Sequence, residues 1–242
     1  MKIIAIAVTL FLVAGCTTTP VTNRMQFMMI SADQEMALGA TEAKKVVQAS
    51  KLSTDRALQE RVKRIGQRIA AVSGRNDFMW EFSVIDDAPP NAFCLPGGKV
   101  FFYTGILKIT ENDDQIAAVM GHEIAHAVAE HGNERMSQGL LAQYGGAALA
   151  QALNKEPEKT RNLWMTVYGV GAQYGALLPF SRTQESEADH LGLVFMAMAG
   201  YDPHESVAFW QRMSAASGGQ APPEFMSTHP SDQTRIQNLT NL

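Results

Sequence analysis

The sequence predicts an α+β fold, mainly helical with a small β-sheet, and two observations carry that prediction. Apolar residues recur at helical spacing over most of the chain, as in Leu58, Val62, Ile65 and Ile69. Around residue 80 the period changes to two: Trp80, Phe82 and Val84 alternate with Glu81, Ser83 and Ile85, which reads as a strand. With 242 residues, 46% of them hydrophobic, the chain is long and apolar enough for one well-buried core and is not a disordered chain. Its formal net charge of −4 argues against a nucleic-acid partner, and its two cysteines cannot build a disulfide scaffold.

The elements follow in order. Ser31 begins a helical pattern with Met36, Val46 and Val47 as apolar positions, and a second helix runs from about Asp55 to Val72, ended by Ser73-Gly74. After the strand at 80–85, Asp86 to Asn91 carries two prolines and reads as a loop. Pro96-Gly97-Gly98 makes a turn into a second strand, Lys99 to Tyr103, expected at a sheet edge. Asp113 or Asp114 is the expected cap of a helix from about Gln115 to His131, with Ile116, Val119 and Met120 on one side. From Gly139 to Phe180 the spacing predicts two helices joined by a turn at 154–157. Leu163 to Phe180 carries no formal charge, yet Gln173, three glycines and Pro179 favour a packed or lid-like helix over a membrane span. A helix from Thr183 to Ala199 is closed by Gly200, Pro203 opens another, and Ser231-Asp232 caps a final short one after the Gly/Pro-rich stretch 218–223.

The first residues stand apart. Lys2, an apolar and small stretch from Ile3 to Gly15, and a cysteine directly after Ala14-Gly15 resemble a bacterial lipoprotein signal, in which Cys16 becomes the acylated first residue. The expected organisation is a signal peptide at 1–15, a tether at 16–30 beginning Thr17-Thr18-Thr19-Pro20, and one domain at 31–242. Acylated lipoproteins hold stably to a membrane because more than one lipid chain is buried. Thr17 is not the Asp that retains such proteins in the inner membrane, so the resemblance implies the outer membrane, facing the periplasm. Cys94 is then the only other thiol, expected to serve as packing.

The chemistry sits in His122-Glu123-Ile124-Ala125-His126. Histidines at i and i+4 lie about 40° apart around a helix, so both imidazoles converge on one point, the arrangement a tetrahedral metal needs. Imidazole nitrogens suit zinc, and Glu123 can reach a water at the metal without ligating it. A catalytic zinc takes three protein ligands. Gly132 stands where an extended motif would place a third histidine, and His131 points elsewhere as a residue of the helix C-terminus. The third ligand is sought in Glu185-Ser186-Glu187-Ala188-Asp189. Glu185 and Asp189 share a helix face, one to ligate and the other to accept a hydrogen bond from a ligating histidine, whereas Glu187 faces away.

These motifs, with Thr228-His229-Pro230 near the end and Asn91-Ala92-Phe93 followed by Leu95-Pro96-Gly97-Gly98, resemble the zinc metallopeptidases that include HtpX, BepA, LoiP and the CAAX prenyl proteases, of the periplasmic lipoprotein type. The resemblance implies a zincin-like fold and one Zn2+ per subunit on His122, His126 and Glu185. It also implies Glu123 as catalytic base and Asp189 as proton donor. His229, on a constrained loop, is the candidate for stabilising the oxyanion, and in BepA-like relatives the equivalent histidine closes the site as a fourth ligand. His190 and His204 are expected to be structural or solvent-facing. The expected activity is an endopeptidase of misfolded or misassembled envelope proteins; the alternative is an assembly factor or chaperone with a latched zinc site, working with the outer-membrane assembly machinery.

Overall fold

The computed structural model describes residues 16–20, 22–173, 177–216 and 233–241. The expected signal segment, the stretch 218–223, the Thr228-His229-Pro230 loop and the Ser231-Asp232 cap lie outside the described residues. The chain falls into two compact units, one holding residues up to Ser31 with His131–Gln184, the other Ala32–Glu130 with the chain from Glu185 onward.

In the first unit, β1 (Cys16–Thr18) pairs antiparallel with β2 (Met25–Phe27), so the segment read as a tether carries an ordered hairpin. Two helices follow from the other stretch of chain, as the spacing predicts: α5 (His131–Ala152) and α6 (Glu158–Ala172), separated by a turn at 153–157. Tyr168 donates its hydroxyl to the Ala142 carbonyl at 2.8 Å, tying one to the other. Among the described residues, no helix is long and apolar enough to cross a membrane.

The second unit opens with α1 (Ala32–Ala49) and α2 (Arg56–Val72); Asp55 caps α2 by accepting from the Leu58 amide at 3.0 Å. Three strands form one sheet in the order β3 (Glu81–Ile85), β5 (Lys99–Tyr103), β4 (Ala92–Leu95). The sequence reading is corrected here. Lys99–Tyr103 is the central strand, parallel to β3 and antiparallel to β4, and four of its five residues are buried. A central strand covered on both faces loses the polar alternation that marks an edge. The edges are β3 and β4, and β4 is the strand the sequence reading passed over, because Asn91 to Leu95 shows no alternation and lies between proline-bearing segments. Gly97 and Gly98 make the β4–β5 turn, both in the left-handed region (φ 78° and 82°).

One sheet face packs Phe93, Phe101 and Tyr103 with Ala43 and Val46 of α1. The other builds the main core, where Val100 and Phe102 meet Val62, Ile65 and Ile69 of α2. After the single turn α3 (Thr104–Leu107), α4 (Asp113–Val128) runs through that core, with every residue from Gln115 to Val128 buried. Its cap is Asn112, which accepts from the Gln115 amide at 2.8 Å; Asp113 instead takes ion pairs from Arg61 and Arg64. The helix ends at Val128 and not at His131. Glu130 adopts φ 53°, a left-handed residue that breaks the helical path, and His131, fully buried, starts α5. The last helices are α7 (Leu178–Met198), closed by Gly200 at φ 77°, then α8 (Glu205–Ala216) and α9 (Gln233–Asn241).

Candidate metal centre

Two helices are forced close together at one point, and that point sets the site. A Cβ on Gly121 of α4 would lie 2.8 Å from the Gly192 carbonyl oxygen, and one on Gly192 of α7 would lie 2.9 Å from the His122 nitrogen. The backbones of α4 and α7 therefore touch where neither residue has a side chain. Glu185 and Asp189 lie on α7 one to two turns before this crossing; His122 and His126 lie on α4 at and just after it.

The three ligand atoms converge. His122 Nε2 and His126 Nε2 are 3.1 Å apart, and the Glu185 carboxylate places Oε2 at 3.4 Å from the first and Oε1 at 3.3 Å from the second. Zinc bonds of about 2.0–2.1 Å at tetrahedral angles separate neighbouring ligand atoms by about 3.3–3.4 Å. These spacings, with two imidazoles and one carboxylate as the donor set, fit a zinc ion. All three residues are buried, at 2%, 5% and 6% exposure, so a charge of opposite sign is needed to hold the carboxylate there. Among the described residues, this trio is the group of His, Cys, Asp and Glu side chains placed to hold a metal. Glu187, also buried, is not part of it.

Behind the ligands is a set of partners that fixes their orientation. Asp189 Oδ1 lies 2.9 Å from His122 Nδ1, the contact that leaves Nε2 of the same ring for the metal. Arg235 of α9 grips Asp189 with two hydrogen bonds, Nε to Oδ2 at 2.7 Å and Nη2 to Oδ1 at 2.6 Å. Its guanidinium is also 3.5 Å from Glu185 Oε2 and stacks over the Trp210 ring at 3.6 Å. Trp210 in turn meets the His122 ring edge-on at 5.9 Å. Burial raises the Asp189 carboxyl, but the Arg235 charge and the His122 contact outweigh it, and the group is held below the usual carboxylate range. For His122 without metal, burial and Arg235 favour the neutral ring, but Asp189 and Glu185 overcome both and raise it to about 9. A zinc ion must displace that proton.

Glu123, the residue after the first ligand, is 2% exposed. It is close enough to Cys94 of β4 for its charge to add to the effect of burial in pushing that thiol well above its ordinary value. The base candidate on α4 is thus within electrostatic reach of the edge strand β4. His204 is exposed and paired with Asp202 at 2.7 Å, away from the ligands. His229 lies outside the described residues.

Sequence reasoning missed Arg235 and Trp210. Arg235 had a signal: it stands four residues before Leu239, on the buried side of a short terminal helix where a solvated cation does not belong. The Gly121–Gly192 crossing had none, because it joins two helices seventy residues apart.

Similarity to known proteins agrees with this geometry. The chain is 39% identical over 228 residues to mitochondrial metalloendopeptidase OMA1 of Schizosaccharomyces pombe, covering 91% of this chain and 64% of that protein. Against the Saccharomyces cerevisiae OMA1 it is 33% identical, covering 96% and 70%. Against the beta-barrel assembly-enhancing protease of Escherichia coli it is 25% identical, covering 88% and 44%. The chain thus spans about two thirds or less of the length of most such relatives. Residues 56–242, which hold every ligand and every partner described above, match the profile of Peptidase family M48. A histidine pair and a distant glutamate closing on one metal position, within a stretch that carries this family's pattern from end to end, make the chain a member of Peptidase family M48.

Proposed function

We propose that the chain is a zinc-dependent endopeptidase of the cell envelope that cleaves misfolded or misassembled proteins. The observation that carries this reading is the convergence of His122, His126 and Glu185 at 3.1–3.4 Å with Glu123 buried at the next position. A purely structural metal site has no use for that carboxylate.

Zinc, when bound, polarises the scissile carbonyl and makes a water acidic enough to be deprotonated near neutral pH. Glu123 takes the proton from the attacking water and passes it to the leaving amine. Asp189, ionised and clamped by Arg235, holds the His122 ring in the tautomer that offers Nε2; in this arrangement it acts as a proton acceptor and orienter, not as the donor the resemblance implies. His229 supplies the extra donor to the developing oxyanion. An extended substrate pairs with β4, the sheet edge beside Glu123. Backbone pairing selects weakly for sequence, which suits unfolded chains. Acylation at Cys16 anchors the chain to the outer membrane on its periplasmic side.

The test is turnover of a casein-like substrate by wild type and Glu123→Gln at equal zinc content. The expected loss is about 10²–10⁴-fold, the usual contribution of a general base. Unchanged cleavage with zinc still bound overturns the assignment. Cys16→Ser is expected to move the chain from the membrane to the soluble fraction, and persistence in the membrane removes the anchor.

A second reading is favoured by the similarity to a beta-barrel assembly-enhancing protease. Here the chain is an assembly factor or chaperone at the outer-membrane assembly machinery, its zinc closed by His229. His229→Ala separates the two: lost activity supports the oxyanion role, increased proteolysis supports the latch.

A further inference from the structure

Helix α1 covers only part of the sheet face it packs on. A Cβ on Gly39 would overlap the Pro96 carbonyl, so the α1 backbone rests against the turn between β4 and β5. Pinned there, α1 sets Ala43 and Val46 against Phe93, Phe101 and Tyr103 of those two strands. The β3 side of the same face is left open beside Glu81 and Ser83. A groove of about 430 Å³ opens there, with Ala40, Ala43, Val47, Met79 and Phe101 as its apolar lining. Every residue of the lining belongs to the unit that begins at Ala32.

The polar groups around this lining are donors in want of an acceptor. The side chains of Lys44, Gln48 and Ser83 make no hydrogen bond or ion pair among the described residues, whereas the neighbouring Lys45 is paired with Glu42. Lys99, 8% exposed, gives two of its three donors to the Met79 carbonyl at 2.6 Å and to Glu81 Oε1 at 2.7 Å. Glu81, the one acid in the lining, is thus matched by Lys99, and Lys44 leaves the groove with a net positive charge. The complementary occupant is apolar with an anion close beside it.

The sheet edge next to the groove also has backbone to offer. The Glu81 amide donates to the Gly98 carbonyl at 2.9 Å, so Glu81, Ser83 and Ile85 turn their backbone groups toward β5. Phe82 and Val84 turn theirs outward. On that side the Val84 carbonyl accepts from the Ser53 amide at 2.8 Å and the Asp86 amide donates to the Lys51 carbonyl at 2.7 Å, whereas no second strand reaches Phe82. An open stretch of strand edge beside an apolar pocket is the arrangement that takes an extended peptide.

We propose that the groove between α1 and β3 docks an apolar polypeptide C-terminus. The last residues add as a strand along β3 at Phe82, the terminal side chain fills the groove, and its carboxylate pairs with Lys44. A C-terminal apolar residue carries the anion and the apolar group on one carbon, which is the combination this groove selects. The site lies on the edge opposite β4 and needs neither zinc nor cleavage, so it stands or falls separately from the endopeptidase reading.

The experiment reads fluorescence anisotropy of a fluorescein-labelled hexapeptide, Thr-Ser-Thr-Ser-Val-Phe, as free acid and as C-terminal amide. The protein is the full-length chain in the Glu123→Gln background, where cleavage does not compete. The acid is expected to bind about ten-fold tighter, the scale of a hydrogen bond to a charged group. Lys44→Gln, at an exposed position, is expected to abolish that preference and to leave the affinity for the amide unchanged. Of two acid peptides N-methylated at alternate amides, one is expected to lose binding about ten-fold and the other to keep it, because alternate residues face β3. Equal affinity for acid and amide, a preference that survives in Lys44→Gln, or equal binding of the two methylated peptides overturns the proposal. So does displacement of the peptide by an equal concentration of laurate, which makes the groove a site for a free acyl carboxylate, or exclusion of the peptide by dimerisation of the chain.

Discussion

Replacing Gly192 by alanine tests whether a backbone crossing holds the metal centre. The new methyl carbon would stand 2.9 Å from the His122 nitrogen, 3.1 Å from the Gly121 carbonyl carbon and 3.2 Å from the His122 Cα. All three are backbone atoms of α4, so no rotamer change relieves the clash. Ordinary contact needs roughly 0.5 Å more, which α4 and α7 supply by separating; overpacking of this kind costs about 1–3 kcal/mol. The same displacement enters the ligand set, where the 3.3–3.4 Å gaps between Glu185 and the two imidazoles leave little slack. If most of the strain falls on the metal-bound state, at 1.4 kcal/mol per factor of ten, zinc affinity falls about 10–100-fold. Chelator competition measures that affinity, and thermal unfolding with and without zinc separates it from the loss of fold stability. Gly139→Ala is the control, because nothing lies within 4 Å of a Cβ there and the change favours the helix by about 0.5–1 kcal/mol. A Gly192→Ala protein with unchanged melting and unchanged zinc affinity refutes the crossing as the element that sets ligand spacing.

Two further outcomes follow from the charges around the site. Arg235→Lys keeps a cation but not the two-pronged grip on Asp189 or the flat stack on Trp210. Zinc affinity is expected to drop about ten-fold, the lower end for loss of a partner that orients a ligand, and wild-type affinity in chelator competition argues against that role. For pH, the metal-free His122 is raised from 6.5 to about 9, so its partners stabilise the charged ring in the fold. That contribution is fully present below pH 6.5 and is lost as pH rises through about 9, a fall of order 3 kcal/mol in the metal-free protein. Zinc binding needs the neutral ring, so apparent zinc affinity runs the other way and rises over the same window. Urea unfolding of metal-free protein between pH 6 and 9.5 checks the first trend and chelator competition the second; stability that does not fall, or affinity that does not rise, contradicts the corresponding trend.

Much of the site was legible because it depends on helix pitch. The separation of His122 and His126 by four residues brings two imidazoles to one side of α4, and the same spacing pairs Glu185 with Asp189. The change of period near residue 80 marked β3, and the glycines at 74 and 200 marked helix ends, each taking the left-handed backbone that only a residue without a Cβ adopts freely. Reading failed where a feature belongs to two elements at once. Lys99–Tyr103 read as an edge because a strand does not reveal how many neighbours it has. His131 read as the tail of α4 because the break at Glu130 depends on a backbone turn rather than on a Gly or Pro.

The sequence by itself therefore determined the helices, the chemistry of each ligand and the faces on which those ligands lie, since these depend on residues a turn or less apart. The tertiary structure alone decided that α4 and α7 meet glycine to glycine, that Arg235 closes over Asp189, and that Arg24 reaches Glu134. Those pairings join residues 46 to 110 positions apart. Their geometry follows from how whole elements pack, and no local periodicity encodes it.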